Sequence, residues 1–319
     1  MKHLLPLVAA LSSAALAQTP VAGPPAVVPS LEVMRAIDLK AEMRTLSNWF
    51  PGIYDNHEQV IRQSGHALMP KVETPFHRIH ISVTTLPVEG FGPNAFRWTE
   101  HWGNDTQTLA RDEVMVASID AAANAIRLKR RRITAAPEQA EPLEDACDLL
   151  LRYEGGQLTG ETASPHCPSR GGFTDLRLIV GPRFVWVKEE ARSKTGKTIW
   201  EMAPGTRFDW HQATRARQFS CDVFGDEKGE MANSRFIQKI SLHDQGGTAD
   251  IPWMDGRTLQ FTIHTRAFSI APTREHPLFR LHEKGNPVPI AYAYAEDDSD
   301  NFGLNLGWFY IRCAVQKPA

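Results

Sequence analysis

The chain lacks the short motifs of the commonest hydrolases and nucleotide enzymes. There is no G-x-S-x-G elbow, no H-E-x-x-H, no G-x-x-x-x-G-K-[ST] and no G-x-G-x-x-G after a strand. It lacks an excess of charge of either sign. Lys+Arg is 35 against Asp+Glu 37, a net charge of −2, which excludes bulk attraction to nucleic acid. After residue 17 no run is long enough to span a bilayer, which takes about 18 apolar residues. Four cysteines occur, none in C-x-x-C spacing, which disfavours zinc.

What is present is globular. Apolar residues make up 42% and charged residues 23%, with a mean hydropathy of −0.32. The first segment reads as an export leader: basic Met1-Lys2-His3, apolar Leu4 to Leu16, and a small-x-small exit that places cleavage after Ala17. A periplasmic or secreted location follows, with no integral membrane segment once the signal is removed. Residues 18–30 hold four prolines and read as an extended linker. An exported chain with an even cysteine count favours disulfides, and four cysteines allow three connectivities. Sequential pairing, Cys147–Cys167 and Cys221–Cys313, keeps each bridge within one of two regions, 31–212 and 213–319.

The pattern predicts one helix and then strands. Leu39, Met43, Leu46 and Phe50 recur at spacings of three and four, one helical face. A second short helix is expected at 56–62. From residue 78 the period switches to two, with strands expected at 78–85, 95–102, 111–118, 124–133, 149–153, 157–162, 176–180, 184–189, 198–200 and 206–210. Gly155-Gly156 reads as a hairpin turn. Even strand spacing behind one helix predicts a mainly β fold: a lipocalin-like antiparallel barrel with an N-terminal helix and a smaller C-terminal β-region. In that region the pattern pauses from about Gln218 and resumes at 236–242, 258–268, 288–295 and 303–313. Residues 272–277 and 283–289 read as turns. His243 to Asp250 reads as a structural loop.

Alternation puts Phe96, Trp98, Glu100 and Trp102 on one face. An inward Glu100 needs a partner, and Arg111 at the start of the next strand is the candidate. Lys129 to Arg132 is the one charge run. It splits between two strand faces, either a solvated edge or a basic rim for an anionic group. His77 and His80 fall on opposite faces, so a shared metal is not expected. The acidic stretch at 297–300 fails the EF-hand pattern at Phe302.

Several segments in order resemble the CpcT/CpeT family of phycobiliprotein chromophore lyases. They are Leu46 to Gln59 (LSNWFPGIYDNHEQ), Trp98-Thr99-Glu100-His101, Arg111, Ala146-Cys147-Asp148 with Gly160-Glu161-Thr162 and Cys167, and Thr195 to Trp200. The resemblance covers about residues 39–212. Glu189 and Ser193 stand where the family often has Asp, and Glu201 replaces a Gly. The resemblance implies a barrel that holds a bilin or other tetrapyrrole and, in lyases, transfers it to a cysteine of an acceptor protein. It implies Trp98 and Trp200 as stacking residues, Glu100 and Arg111 at the ligand's polar edge, and Arg97 or Arg130 for propionates. Glu100 becomes the candidate catalytic proton donor. No cofactor is required beyond the tetrapyrrole itself. The competing expectation is a non-catalytic lipocalin-like carrier of a small apolar molecule.

Overall fold

A computed structural model describes residues 31–60, 78–86, 91–103, 109–169, 171–201, 210–226, 234–268, 271–296 and 299–316. The expected leader, the linker, His77 and residues 297–298 lie outside them. Helix α1, Leu31–Trp49, comes first. Its expected apolar stripe is the buried one: Leu39, Met43, Leu46 and the following Phe50 are all in the core.

Thirteen strands follow in one sheet. They are β1 (Gly52–Asp55), β2 (Ile79–Thr85), β3 (Ala95–Trp102), β4 (Leu109–Asp120), β5 (Ala125–Arg132), β6 (Glu141–Pro142), β7 (Leu149–Glu154), β8 (Gln157–Thr162), β9 (Cys167–Ser169), β10 (Gly172–Val180), β11 (Phe184–Ser193), β12 (Thr198–Glu201) and β13 (His211–Arg215). Ten of them close into an antiparallel ring, in the order β1-β2-β3-β4-β5-β7-β8-β10-β11-β13, with β13 pairing back onto β1. Closure removes the sheet edges that would otherwise invite aggregation. The expected short helix is helical over 57–60. The strand expected at 206–210 falls largely outside the described residues. Its neighbour β13 extends the barrel to Arg215, beyond the division drawn at 212.

Each barrel strand alternates an inward and an outward residue, as the pleat requires. Ile79, Ile81, Val83, Phe96, Trp98, Met115, Ile126, Leu128, Leu151, Leu178 and Val187 all belong to one core. Helix α1 lies at one end of the barrel. Ser47 Oγ reaches Asn94 at 3.4 Å, and Arg35 donates to Asn124 in the turn between β4 and β5. Tyr54 fastens the helix exit: its hydroxyl donates to the carbonyl of Trp49 at 2.6 Å. Phe50 then packs on Phe96 and Trp98, with ring centroids 5.3 and 5.7 Å away.

The described residues from Gln218 onward form two four-stranded sheets. One runs β15 (Arg235–His243), β14 (Gln218–Gly225), β21 (Phe309–Val315), β20 (Asn301–Asn305). The other runs β16 (Gln245–Pro252), β17 (Thr258–Phe268), β18 (Ala271–Glu283), β19 (Ala291–Tyr294). Their inner faces share one apolar core that includes Phe219, Phe261, Phe279 and Phe309.

Four expectations are corrected here. Where a pause was expected from Gln218, β14 forms, with Phe219, Cys221 and Val223 all inward. The loop expected after His243 is strand β16, whose Gly246 takes a φ of 75° at a bulge. Residues 272–277, read as turns, belong to β18. They lie beyond the stretch that β19 covers, where a proline's missing N–H leaves no ladder bond unmade on that side. The single strand expected at 303–313 is two, parted by a turn in which Gly307 has a φ of 83°. Both expected disulfides are present, Cys147–Cys167 and Cys221–Cys313.

Candidate functional site

The barrel's two halves differ in chemistry. Toward α1 the interior is apolar. Past Trp98 the inward positions of four strands turn charged: Glu100 on β3, Arg111 and Glu113 on β4, Arg130 on β5 and Glu189 on β11. Parity explains each one. Glu100 is two residues from Trp98, Glu113 two and Arg111 four from Met115, Arg130 two from Leu128 and Glu189 two from Val187.

These side chains form one network. Glu100 is fully buried and stands directly across from Arg111 in the β3–β4 ladder. Trp98 Nε1 donates to Glu100 Oε2 at 3.2 Å, and Trp102 Nε1 donates to Oε1. Arg111 Nε lies 3.3 Å from Glu100 Oε2, within ion-pair reach but off the line of an N–H hydrogen bond. The Arg111 fork also reaches Glu189 at 2.5 Å and Glu113 at 3.6 Å. Arg130 grips Glu113 with two hydrogen bonds of 2.8 Å.

Burial works against the Arg111 charge, but Glu189, Glu100 and Glu113 outweigh it and hold its pKa above the ordinary value. Burial likewise pushes Glu113 upward. Arg130 and then Arg111 win, and its pKa is lowered to about 2. The network therefore holds three carboxylates against two guanidiniums. Fixed charges of this kind, held away from water, orient a polar ligand more strongly than surface groups do.

The other expected residues are placed as follows. Trp98 is buried beneath Phe50, at the border between the apolar and charged halves. Arg97 is on the outer face and clamps Asp112 with bonds of 2.9 and 2.7 Å. Arg130 is inside, but Glu113 holds it. The Trp200 side chain lies outside the described residues. Of the charge run, Arg131 turns outward and donates to the carbonyl of Ala140 at 3.0 Å. Sequence reasoning missed Glu113 and assigned no role to Glu189. Strand parity was the available signal for both. His211 was missed too; it is fully buried and shares the inward face of β13 with Ala213.

The Leu46 to Gln59 segment does structural work. Asn56 Oδ1 accepts from the backbone N–H of Ile79 at 2.8 Å. Gln59 ties to β13 through the carbonyl of Trp210 at 2.8 Å and the N–H of Gln212 at 3.0 Å. Asp55 accepts from Arg78 at 3.2 and 3.1 Å and pairs with His80 at 2.6 Å. Arg78 extends to the carbonyl of Gln245 at 2.9 Å, and His57 Nε2 meets His264 Nδ1 at 2.8 Å. This polar seam joins the barrel to β16 and β17.

Fold and interior thus define a helix-plugged β-barrel with a charged network in the half away from the helix. No family model matches this chain, and no curated protein matches it significantly. Among solved structures, the chain is similar to the T-type phycobiliprotein lyase CpeT from Prochlorococcus phage P-HM1. Identity is 12% and the TM-score 0.36, over 54% of this chain and 96% of that one. A likeness at that level does not carry ligand or activity across; the architecture rests on the strand pairing above.

Proposed function

We propose that the barrel binds an open-chain tetrapyrrole, with the ligand's polar edge at Glu100, Arg111 and Glu189. The observation that carries this reading is the buried network with carboxylates in excess. Such a set favours a group rich in N–H donors, and the pyrrole nitrogens of a bilin are of that kind. This revises the expected placement of propionates. Arg97 and Arg130 are each committed to a carboxylate, so the propionates point away from the network. Trp98 borders the site from the apolar side.

A carrier without catalysis is the second reading, and the surroundings of Glu100 favour it. Trp98, Trp102 and Arg111 all direct donors or positive charge at the Glu100 oxygens, which fixes the carboxylate in place and suits holding a ligand. An exported location is part of the same proposal, supported by the leader-like N-terminus and by the pairing of all four cysteines.

The test is a titration of purified protein with biliverdin and phycocyanobilin, followed by visible absorbance. Saturable binding with a shifted band supports the barrel site; no spectral change with either sinks it. Incubating the loaded protein with a cysteine-bearing acceptor then separates lyase from carrier, because only a lyase adds the bilin mass to the acceptor.

A further inference from the structure

The two C-terminal sheets bury one face each, and the outer face of the β16–β19 sheet has a chemistry of its own. On β17, Leu259, Phe261 and Ile263 point into the core, so Gln260, Thr262 and His264 point out. The ladder sets Gln260 opposite His282, Thr262 opposite Arg280 and His264 opposite Leu278. Tyr292 on β19 lies across from Arg280 on the other side, with its side chain 63% exposed. An open cleft of about 290 Å³ is lined by Gln260, Thr262, His264, Arg280, His282 and the turn at Gly285 to Pro287.

Two groups in this cleft are unsatisfied. Arg280 is half-buried and makes no hydrogen bond or ion pair among the described residues. His264 is nine-tenths buried. Its Nδ1 is engaged by His57, while its Nε2 has no partner among the described residues. Asp250, the acid on that face, is already held by Lys284 at 2.5 Å and by Gln260 at 3.2 Å. A half-buried guanidinium without a counter-charge gives up hydration with nothing in return. Its planar fork matches the two oxygens of a carboxylate or phosphate.

We propose that this cleft binds a small organic anion, with Arg280 gripping its carboxylate or phosphate, Thr262 and His282 adding hydrogen bonds, and Tyr292 flanking its body. The site is separate from the barrel interior and does not depend on the tetrapyrrole reading.

Calorimetric titration of the full chain with inorganic phosphate, galacturonate and neutral galactose tests it. One or both anions bind saturably and galactose does not; the stronger anion distinguishes a phosphate site from a carboxylate site. Arg280→Gln weakens binding by at least about tenfold, the scale of one charge-assisted hydrogen bond. Thr262→Val weakens it by a few-fold. Arg257→Gln leaves it unchanged, because Arg257 is tied to Asp255 outside the cleft. Circular dichroism confirms that each variant is folded. No saturable binding of either anion overturns the proposal, and so does equal weakening by Arg280→Gln and Arg257→Gln.

Discussion

The barrel and the paired C-terminal sheets solve the same problem in different ways. Both are antiparallel, both bury an apolar core and each carries one disulfide. The barrel closes on itself and then places five charged side chains of the described residues inside, in one connected network. The C-terminal sheets stay open at their edges and keep their shared core apolar and aromatic, with Phe279 stacked on Phe302 at 3.7 Å between centroids. A packed hydrophobic interior is the more stabilising choice, since a buried ion network at best offsets its own desolvation. Stability alone therefore does not account for the barrel's charges, and that is the ground of the proposed ligand site. On the C-terminal sheets Arg280, which has no hydrogen bond or ion pair among the described residues, lies on an outer face, in a cleft open to solvent.

The largest expected effect separates the two regions by their bridges. Cys221–Cys313 closes 92 residues and Cys147–Cys167 closes 20. Chain entropy assigns about 4.7 kcal/mol to a loop near the longer length and roughly 3 kcal/mol to one near the shorter. Replacing each pair with alanines should therefore lower the urea midpoint more for the longer bridge. The reverse order would show that the barrel, not the sheet pair, depends on its crosslink.

Next comes Arg111→Met, which strands Glu100 and Glu189 without their shared cation and leaves Glu113 to Arg130 alone. It should cost about 3–5 kcal/mol in chemical unfolding. Glu189→Gln, at the margin of the network, should cost much less. Equal costs would mean that the network is not centred on Arg111.

The polar seam between the regions should be sensitive to acid. Burial lowers the pKa of His57 to about 4 and that of His264 to about 3, from 6.5. The unfolded imidazoles take up protons below about 6.5 and the folded ones do not, so stability falls as pH drops from 6.5 toward 3. Glu113 acts lower down: its stabilisation is complete above 4.5 and is lost as pH falls toward 2. The double variant His57→Gln, His264→Gln should flatten the upper part of a stability–pH curve and leave the lower part. A curve unchanged above pH 4.5 would show that the seam does not govern acid unfolding.

The smallest effect is Arg97→Ala. This pair with Asp112 lies on the outer barrel face, the Arg97 side chain is 37% exposed, and its loss should cost under about 1 kcal/mol. It should also leave bilin binding intact, which sharpens the contrast with Arg111.

Much of the barrel was legible because strands such as β2 and β3 largely alternate buried and more exposed residues. The Phe96–Trp102 face, the Gly155-Gly156 hairpin and the Leu39–Phe50 stripe are each what their local pattern predicts. The C-terminal sheets were less legible because local signals mislead there. Gly246-Gly247 reads as a turn but forms a bulge inside a strand. Pro272 and Pro277 read as breakers but lie on an uncovered stretch of β18. Asn305 to Gly307 splits what looked like one strand. The Glu100–Arg111 pair was visible as neighbours across a hairpin. Glu189 joins them only because β11 closes the ring through β10 and β13, a long-range fact that no local pattern contains. Arg280, without a hydrogen-bond or ion-pair partner among the described residues, was hidden for the same reason, since its surroundings are set by cross-strand register.

The central claim is that the charged end of the barrel is a ligand site and not a structural core. Circular dichroism in the visible range, recorded as biliverdin is added to the wild-type chain and to Glu189→Gln, tests it most directly. A flexible bilin shows a strong induced band only when a chiral site holds it in one twist. The account predicts a saturable induced band with the wild type and a band weakened at least about fivefold, or shifted to higher bilin concentration by that factor, with the variant, about 1 kcal/mol of contact energy. No induced band with the wild type, or an identical band and affinity in Glu189→Gln, would contradict it.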